Sequence, residues 1–327
     1  MNEYILSLIH SFLGITILYL GGEFFVQGSI ALSVILGIPQ VVIGLTVVAL
    51  GTSSPELLVS LNSMLKNSDS LAASNVIGSN IFNVLIVLGI CALIRPLKVD
   101  SRIVKRDVPI LIATSCGIWG MTSTGVLTWQ GGTFLIIVLI INTIWEINTG
   151  TKKSLEEQEI ETNINEYSSK SSSKFPILLN LILGILLLII GSNLLVSGAK
   201  TFASLMGVSE TIIGLTIVAA GTSLPELVTS IIAALKGKTG LAIGNVIGSN
   251  LLNQLLIMSS CALISGREGL YIEPNLINKD IPLMVLTTFA CLPIFWSGGK
   301  ITRLEGASLV SIYLIFIYTK INSFISI

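Results

Sequence analysis

Two glutamates stand where charge is expensive. Glu56 and Glu226 each lie near the middle of a long apolar stretch, and a charged side chain at membrane depth costs at least about 2.5–3.5 kcal/mol. No Lys or Arg falls in the core of those stretches to pair with them. Two carboxylates without a basic partner call for a cation from outside the protein. Each follows a related run, Gly51-Thr52-Ser53-Ser54-Pro55 and Gly221-Thr222-Ser223-Leu224-Pro225. Proline removes a backbone donor and clashes with the carbonyl one turn earlier, and glycine loosens the same region. The helix should therefore break there, freeing carbonyls that are tolerated at membrane depth only against a cavity or a ligand. A plain kink would not need Thr, Ser and Glu around it.

A second block supplies neutral oxygens. Asn75, Ser79 and Asn83 are spaced i, i+4, i+8 along one helix face, and Asn245, Ser249 and Asn253 repeat the pattern. Such a stripe serves either as ligand or as hydrogen-bonding glue between helices, and for Asn75 and Asn245 both readings stay open. Asn80 and Asn250 point elsewhere and read as structural. The candidate donors are the two carboxylates, the amides, the hydroxyls of Thr52, Ser79, Thr222 and Ser249, and freed carbonyls. A hard, all-oxygen set without His or thiolate suits Ca²⁺, which takes 6–8 oxygens at about 2.3–2.6 Å. Mg²⁺ fits less well because it dehydrates reluctantly. Two carboxylates neutralise one Ca²⁺, and the remaining oxygens could hold Na⁺.

The elements that carry these residues are membrane helices. The chain of 327 residues is 52% hydrophobic and 11% charged, against roughly 25% charged in soluble domains, with a mean hydropathy of +0.89. Hydropathy with Gly, Pro and charge as punctuation predicts ten spans, near 5–32, 38–64, 70–94, 107–125, 128–148, 175–204, 209–235, 240–264, 280–298 and 303–321. The first, second, sixth and seventh are long enough to be tilted or interrupted. The expected fold is an all-α polytopic membrane protein, and a soluble enzyme is excluded. The chain offers no activated nucleophile or His base, so no enzymatic activity and no cofactor are expected. His10 is the only histidine. Cys91, Cys116, Cys261 and Cys291 show no CxxC spacing and read as small buried hydrophobes. A net charge of zero gives no basic field for nucleic acid. The first apolar stretch lacks a basic n-region and a cleavage site, and reads as a retained helix.

An internal repeat organises the spans. Residues 21–94 align with 191–264 at a constant offset of 170, with 33 identities in 74 positions. Each half holds five spans, an odd number, so the second copy must cross the membrane in the opposite sense. Residues 1–148 and 175–327 are then two inverted five-helix repeats, joined by the Glu/Ser-rich segment 149–174, which reads as a disordered linker. Thirteen of the 18 Lys and Arg fall in alternate loops with the linker, which places both termini outside and the linker in the cytoplasm. Inverted repeats mark secondary transporters with sites near mid-membrane; channels use them too.

At these blocks the chain resembles the sodium/calcium exchanger branch of the cation/calcium antiporter superfamily, whose repeats carry G-T-S-x-P-E followed by a G-N-x-x-G-S-N-like motif. The resemblance covers nearly the whole chain. It implies ten transmembrane helices related by a pseudo-two-fold, with the first and sixth sliding as a gate, and exchange of Na⁺ for Ca²⁺ by alternating access. Carried over by position, it implies that Glu56 and Glu226 are the principal Ca²⁺ ligands, joined by the Thr52 and Thr222 carbonyls. The Ala49 and Ala219 carbonyls would contribute to flanking Na⁺ sites, and the side chains of Thr52, Ser53, Ser79, Thr222, Ser223 and Ser249 would line them. Asn83 and Asn253 would border the central position. Many exchangers of this branch have Asp where Asn253 stands, so this site has one titratable group fewer, and no K⁺ dependence is expected. Another departure is Ser74, where the second repeat has Gly244. The alternatives are a Ca²⁺/H⁺ antiporter, although the G-N-x-x-E block usual for proton-coupled members is absent, and a cation channel. The compact chain points to a prokaryotic inner membrane.

Overall fold

The computed structural model describes residues 2–157, 175–208, 217 and 219–325. It is a bundle of helices with two small strand pairs at its ends. α1 spans Asn2–Leu36. α2 (Gln40–Thr52) and α3 (Ser54–Leu65) meet at a 44° bend, and α4 (Asp69–Ile94) follows. α5 covers residues 103–122 and α6 Trp129–Glu157. The second half brings α7 (Phe175–Leu205), the three-residue α8 (Ala219–Gly221), α9 (Leu224–Leu235) and α10 (Thr239–Ile264). α11 (residues 276–296) and α12 (Arg303–Ile325) complete it. Among the described residues, seven helices are long and apolar enough to cross a membrane, or eight if the bent α2/α3 pair is one span.

The described parts of the hydropathy-derived stretches fall on helices or on broken helix pairs. Of the first and sixth stretches, expected to be tilted or interrupted, both run as continuous helices of 35 and 31 residues. Their glycines serve close packing. α6 continues nine residues into the expected linker, to Glu157; the rest of the linker, with its Glu/Ser run from 158 to 174, lies outside the described residues, as does the start of the seventh stretch. Cys91, Cys261 and Cys291 are buried as expected, whereas Cys116 is exposed.

α1 and α7 lie against each other along most of their length. Glycine at seven-residue spacing on both helices, Gly14, Gly21 and Gly28 facing Gly184, Gly191 and Gly198, brings the two backbones together. A Cβ on Gly14 would sit 2.5 Å from the Leu195 nitrogen, and one on Gly191 2.6 Å from the Leu18 nitrogen. This pair lies at the periphery, with about a third or less of its most apolar stretch buried, whereas most of that of α4 and α10 is buried. α10 packs on α2, and α4 on α3, so the innermost helices carry the Asn/Ser stripes and meet the two breaks.

β1 (Leu97–Lys98) pairs antiparallel with β4 (Lys300–Ile301), and β2 (Val126–Leu127) with β3 (Leu270–Tyr271). Each pair thus ties a loop of the first half to a loop of the second. Ion pairs fasten the outer helices. Arg102, immediately before α5, and Arg106 of α5 both pair with Glu146 of α6, and Lys320 of α12 reaches Asp280 of α11 at 2.6 Å.

Candidate cation site

The two proline breaks set the site. Ser53 leaves helical geometry at φ −81°, ψ 4°, and Ser223 at φ −89°, ψ 8°. Each is followed by a helix with Pro in its first turn, where a missing N–H costs least. That same first turn holds Glu56 in α3 and Glu226 in α9, both 0% exposed. Each carboxylate therefore sits at a helix N-terminus, where free N–H groups favour negative charge.

The breaks exchange partners across the halves. Ser53 Oγ donates to Glu226 Oε1 at 3.0 Å, and Ser223 Oγ donates to Glu56 Oε1 at 2.9 Å. Thr52 Oγ1 donates to Asn245 Oδ1 at 3.0 Å, and Thr222 Oγ1 to Asn75 Oδ1 at 3.3 Å. Thr52 and Ser249 hydroxyls approach to 3.5 Å. No ion pair reaches either glutamate among the described residues.

Asn75 and Asn245, left open between two roles, brace the breaks. Asn75 Nδ2 donates to the Glu56 carbonyl at 3.1 Å and to Ser60 Oγ at 2.9 Å; Asn245 does the same with the Glu226 carbonyl and Ser230 Oγ, at 3.4 and 3.0 Å. Ser60 and Ser230 were not anticipated, although both are fully buried and identical in the two copies. The two asparagines closing the stripes behave differently. Asn253 Nδ2 donates to Ser79 Oγ at 3.0 Å, while Asn83 Nδ2 donates to Asn250 Oδ1 at 3.1 Å. Asn80 and Asn250 are joined to their neighbours by hydrogen bonds: Asn250 Nδ2 donates to the Asn80 carbonyl, and Asn80 Oδ1 accepts from Gln254. Gln254 also exchanges hydrogen bonds with Ser115 of α5, a connection without a signal in the repeat, since position 84 is Val.

What remains is a set of buried oxygens without donors. Glu56 Oε2, Glu226 Oε2, Asn83 Oδ1 and Asn253 Oδ1 are each buried and have no hydrogen-bond partner. They form two pairs at the repeat offset of 170. An unsatisfied buried acceptor costs about 1–3 kcal/mol, and more when charged, so four together need a counter-group. All four are hard oxygens and two carry charge, which is a donor set for a cation such as Ca²⁺. Among the described residues, no cluster of three or more His, Cys, Asp or Glu side chains offers a different metal site. Ala49 is engaged elsewhere, its carbonyl accepting the Ser53 N–H at 2.9 Å. Ala219 opens α8.

Residues 6–147 and 177–322 match the family model described as sodium/calcium exchanger protein. The putative antiporter CaxA of Alkalimonas amylolytica is 34% identical over 317 residues, covering 95% of this chain and 97% of its own. The sodium/calcium exchanger MaX1 of Methanosarcina acetivorans is 28% identical, covering 93% and 95%. A solved structure of the sodium-calcium exchanger NCX_Mj, soaked with zero Na⁺ and Ca²⁺, superposes with a TM-score of 0.81 at 31% identity, over 96% of this chain and 99% of that one.

Proposed function

The chain belongs to the sodium/calcium exchanger family, whose members are membrane transporters rather than enzymes, and from that premise we propose that it is an antiporter exchanging Na⁺ for Ca²⁺ by alternating access. The observation that carries the reading is the set of four donorless buried oxygens on Glu56, Glu226, Asn83 and Asn253. One Ca²⁺ among them neutralises both carboxylates. Na⁺ ions use the same carboxylates together with the hydroxyls of Thr52, Ser53, Ser79, Thr222, Ser223 and Ser249. Backbone carbonyls of Thr52 and Thr222 join the central ion, and those of Ala49 and Ala219 join the flanking ones once their helical turns open. An empty site leaves two unpaired buried charges, which penalises the closed arrangement between the two open states. A loaded site passes through it, and that difference couples the two ions.

The topology proposed with it has ten transmembrane helices as two inverted repeats, 1–148 and 175–327. The strand pairs support it. β1, in the loop after the third span, pairs with β4, in the loop after the ninth; the first loop is rich in Lys and Arg, the second carries Lys300 with Arg303 at the start of the next helix, and both fall on the cytoplasmic side of an inverted arrangement. Parallel repeats would put those loops on opposite faces. Prokaryotic relatives support a prokaryotic plasma membrane, with both termini outside and the segment 149–174 inside.

The test is uptake of radioactive Ca²⁺ into proteoliposomes loaded with Na⁺ and diluted into Na⁺-free buffer, with a pH-gradient control. Uptake that requires internal Na⁺ and ignores the pH gradient is the expected result. Uptake driven by internal acid and indifferent to Na⁺ makes protons the counter-ion and overturns the Na⁺ assignment. Accumulation that follows the Ca²⁺ gradient alone makes the protein a channel.

A further inference from the structure

The two breaks face one problem and solve it differently. Pro55 and Pro225 have no N–H, so the carbonyls of Gly51 and Gly221, four residues earlier, lose their helical donors. In the first half, Ser54 supplies one locally, its hydroxyl donating to the Gly51 carbonyl at 2.8 Å. Position 224 is Leu, and the donor comes from another helix: Ser192 Oγ, on α7, reaches the Gly221 carbonyl at 2.6 Å in a buried setting. At the repeat offset, Ser54 corresponds to Leu224 and Ser192 to Gly22. Each half thus carries one serine for the same duty, in a different place. Gly22, lacking a side chain, lies instead against Val228 and Ile232 of α9.

The packing of the α1/α7 pair is also unequal. α1 lies along α9, while α7 has no matching packing along α3. Exchanging the roles of the halves gives the mirrored arrangement, in which α7 lies along α3 and Ser192 occupies the place Gly22 holds now, against Leu58 and Asn62 and away from Gly221. This step rests on the alternating-access reading above. We infer that Ser192 is a positioning residue that ties α7 to the second break in one orientation of the transporter only, whereas Ser54 serves the first break in both. The tie leads to the site by a short path. Gly221 is two residues from Ser223, whose hydroxyl holds Glu56, so the placement of α7 is felt at one carboxylate. The bond favours the orientation described here and makes the two faces of the exchanger unequal in their apparent affinity for Ca²⁺.

The experiment moves the hydroxyl. Ser192→Ala, Leu224→Ser and the double variant are reconstituted as full-length protein, and driven Ca²⁺ uptake is measured with Ca²⁺ half-saturation at each face of sided vesicles. Ser192→Ala is expected to lose about tenfold in uptake, the scale of one buried carbonyl left without its donor, and to shift half-saturation at one face more than at the other. Adding Leu224→Ser, which recreates the local donor of the first half, should restore uptake and bring the two half-saturation values together. Leu224→Ala in the same background should restore nothing. Wild-type uptake and sidedness in Ser192→Ala overturns the inference, as does a double variant that stays inactive or unfolded. Uptake is scored relative to wild type under whichever ion gradient drives it. A proton-driven wild type would therefore sink the Na⁺ assignment without touching this test, and a failed rescue would sink this inference alone.

Discussion

Glu56 and Glu226 each give one oxygen to a serine of the other half and keep one free. Glutamine keeps the serine contact but removes the charge, and its NH₂ group can put a donor where an acceptor is needed. Glu56→Gln or Glu226→Gln should therefore abolish Ca²⁺ transport while leaving a folded protein. The discriminating measurement is thermal stability in detergent: wild type should gain stability with added Ca²⁺, and either variant should lose that gain. Wild-type transport in either would remove these residues from the site. Asn253→Asp adds a third carboxylate beside a donorless position, so uptake in that variant should fall more steeply than in wild type as pH is lowered, read from pH series of the two. The glutamates and the stripes were legible because charge and polarity at membrane depth stand out against an apolar background. Ser60 and Ser230 were not, because serine inside a helix ordinarily bonds its own preceding turn and so announces nothing; only their identity in both copies marked them. Ser230→Ala should cost about 1 kcal/mol, seen as a lowered melting temperature, since the Asn245 NH₂ group then keeps only its longer bond to the Glu226 carbonyl.

At the scale of the helix, the breaks and the glycine seams do opposite work. Pro55→Ala restores an N–H that competes with Ser54 for the Gly51 carbonyl, so the 44° bend between α2 and α3 should straighten and withdraw Ser53 from Glu226. Weaker Ca²⁺ binding by calorimetry is expected; an unchanged affinity would show that the bend does not set the site. Gly191→Ala places a methyl 2.6 Å from the Leu18 nitrogen, and backbone cannot give way as a side chain tip can. It should separate α1 from α7 and lower the melting temperature, whereas Gly78→Ala, with open space at its Cβ, should not. Proline-led breaks in the second and seventh stretches could be read directly, because a missing donor is a property of the residue. Continuity of the first and sixth could not, because glycine both loosens a lone helix and permits a close neighbour, and which applies depends on the partner helix.

For the molecule as a whole, the gapless repeat is the most telling feature of the sequence: under the proposed topology of five spans per half the copies are inverted, and the strand pairs join the loops that inversion would place together. Lys98 and Lys300 are register partners across β1 and β4. In a background without the four native cysteines, Lys98→Cys with Lys300→Cys should cross-link when an oxidant is added, and the reduced pair should react with membrane-impermeant thiol reagents only from the cytoplasmic face; labelling from outside would reverse the orientation. The sequence carried no sign of these short strands, two residues each, nor of the tie through Gln254 to α5, since both depend on where separate loops and helices arrive in space. The reciprocal holding of the carboxylates has a consequence for heredity. A glutamate supplied by one copy and steadied by a serine of the other gives neither motif an independent fate: a substitution tolerable in one is judged by its counterpart 170 residues away. Duplicated segments usually drift until one is free to vary. Here the two blocks act on each other as mutual selective environments, which accounts for near-identity persisting at the breaks and stripes while the flanking stretches of the same duplicates have diverged.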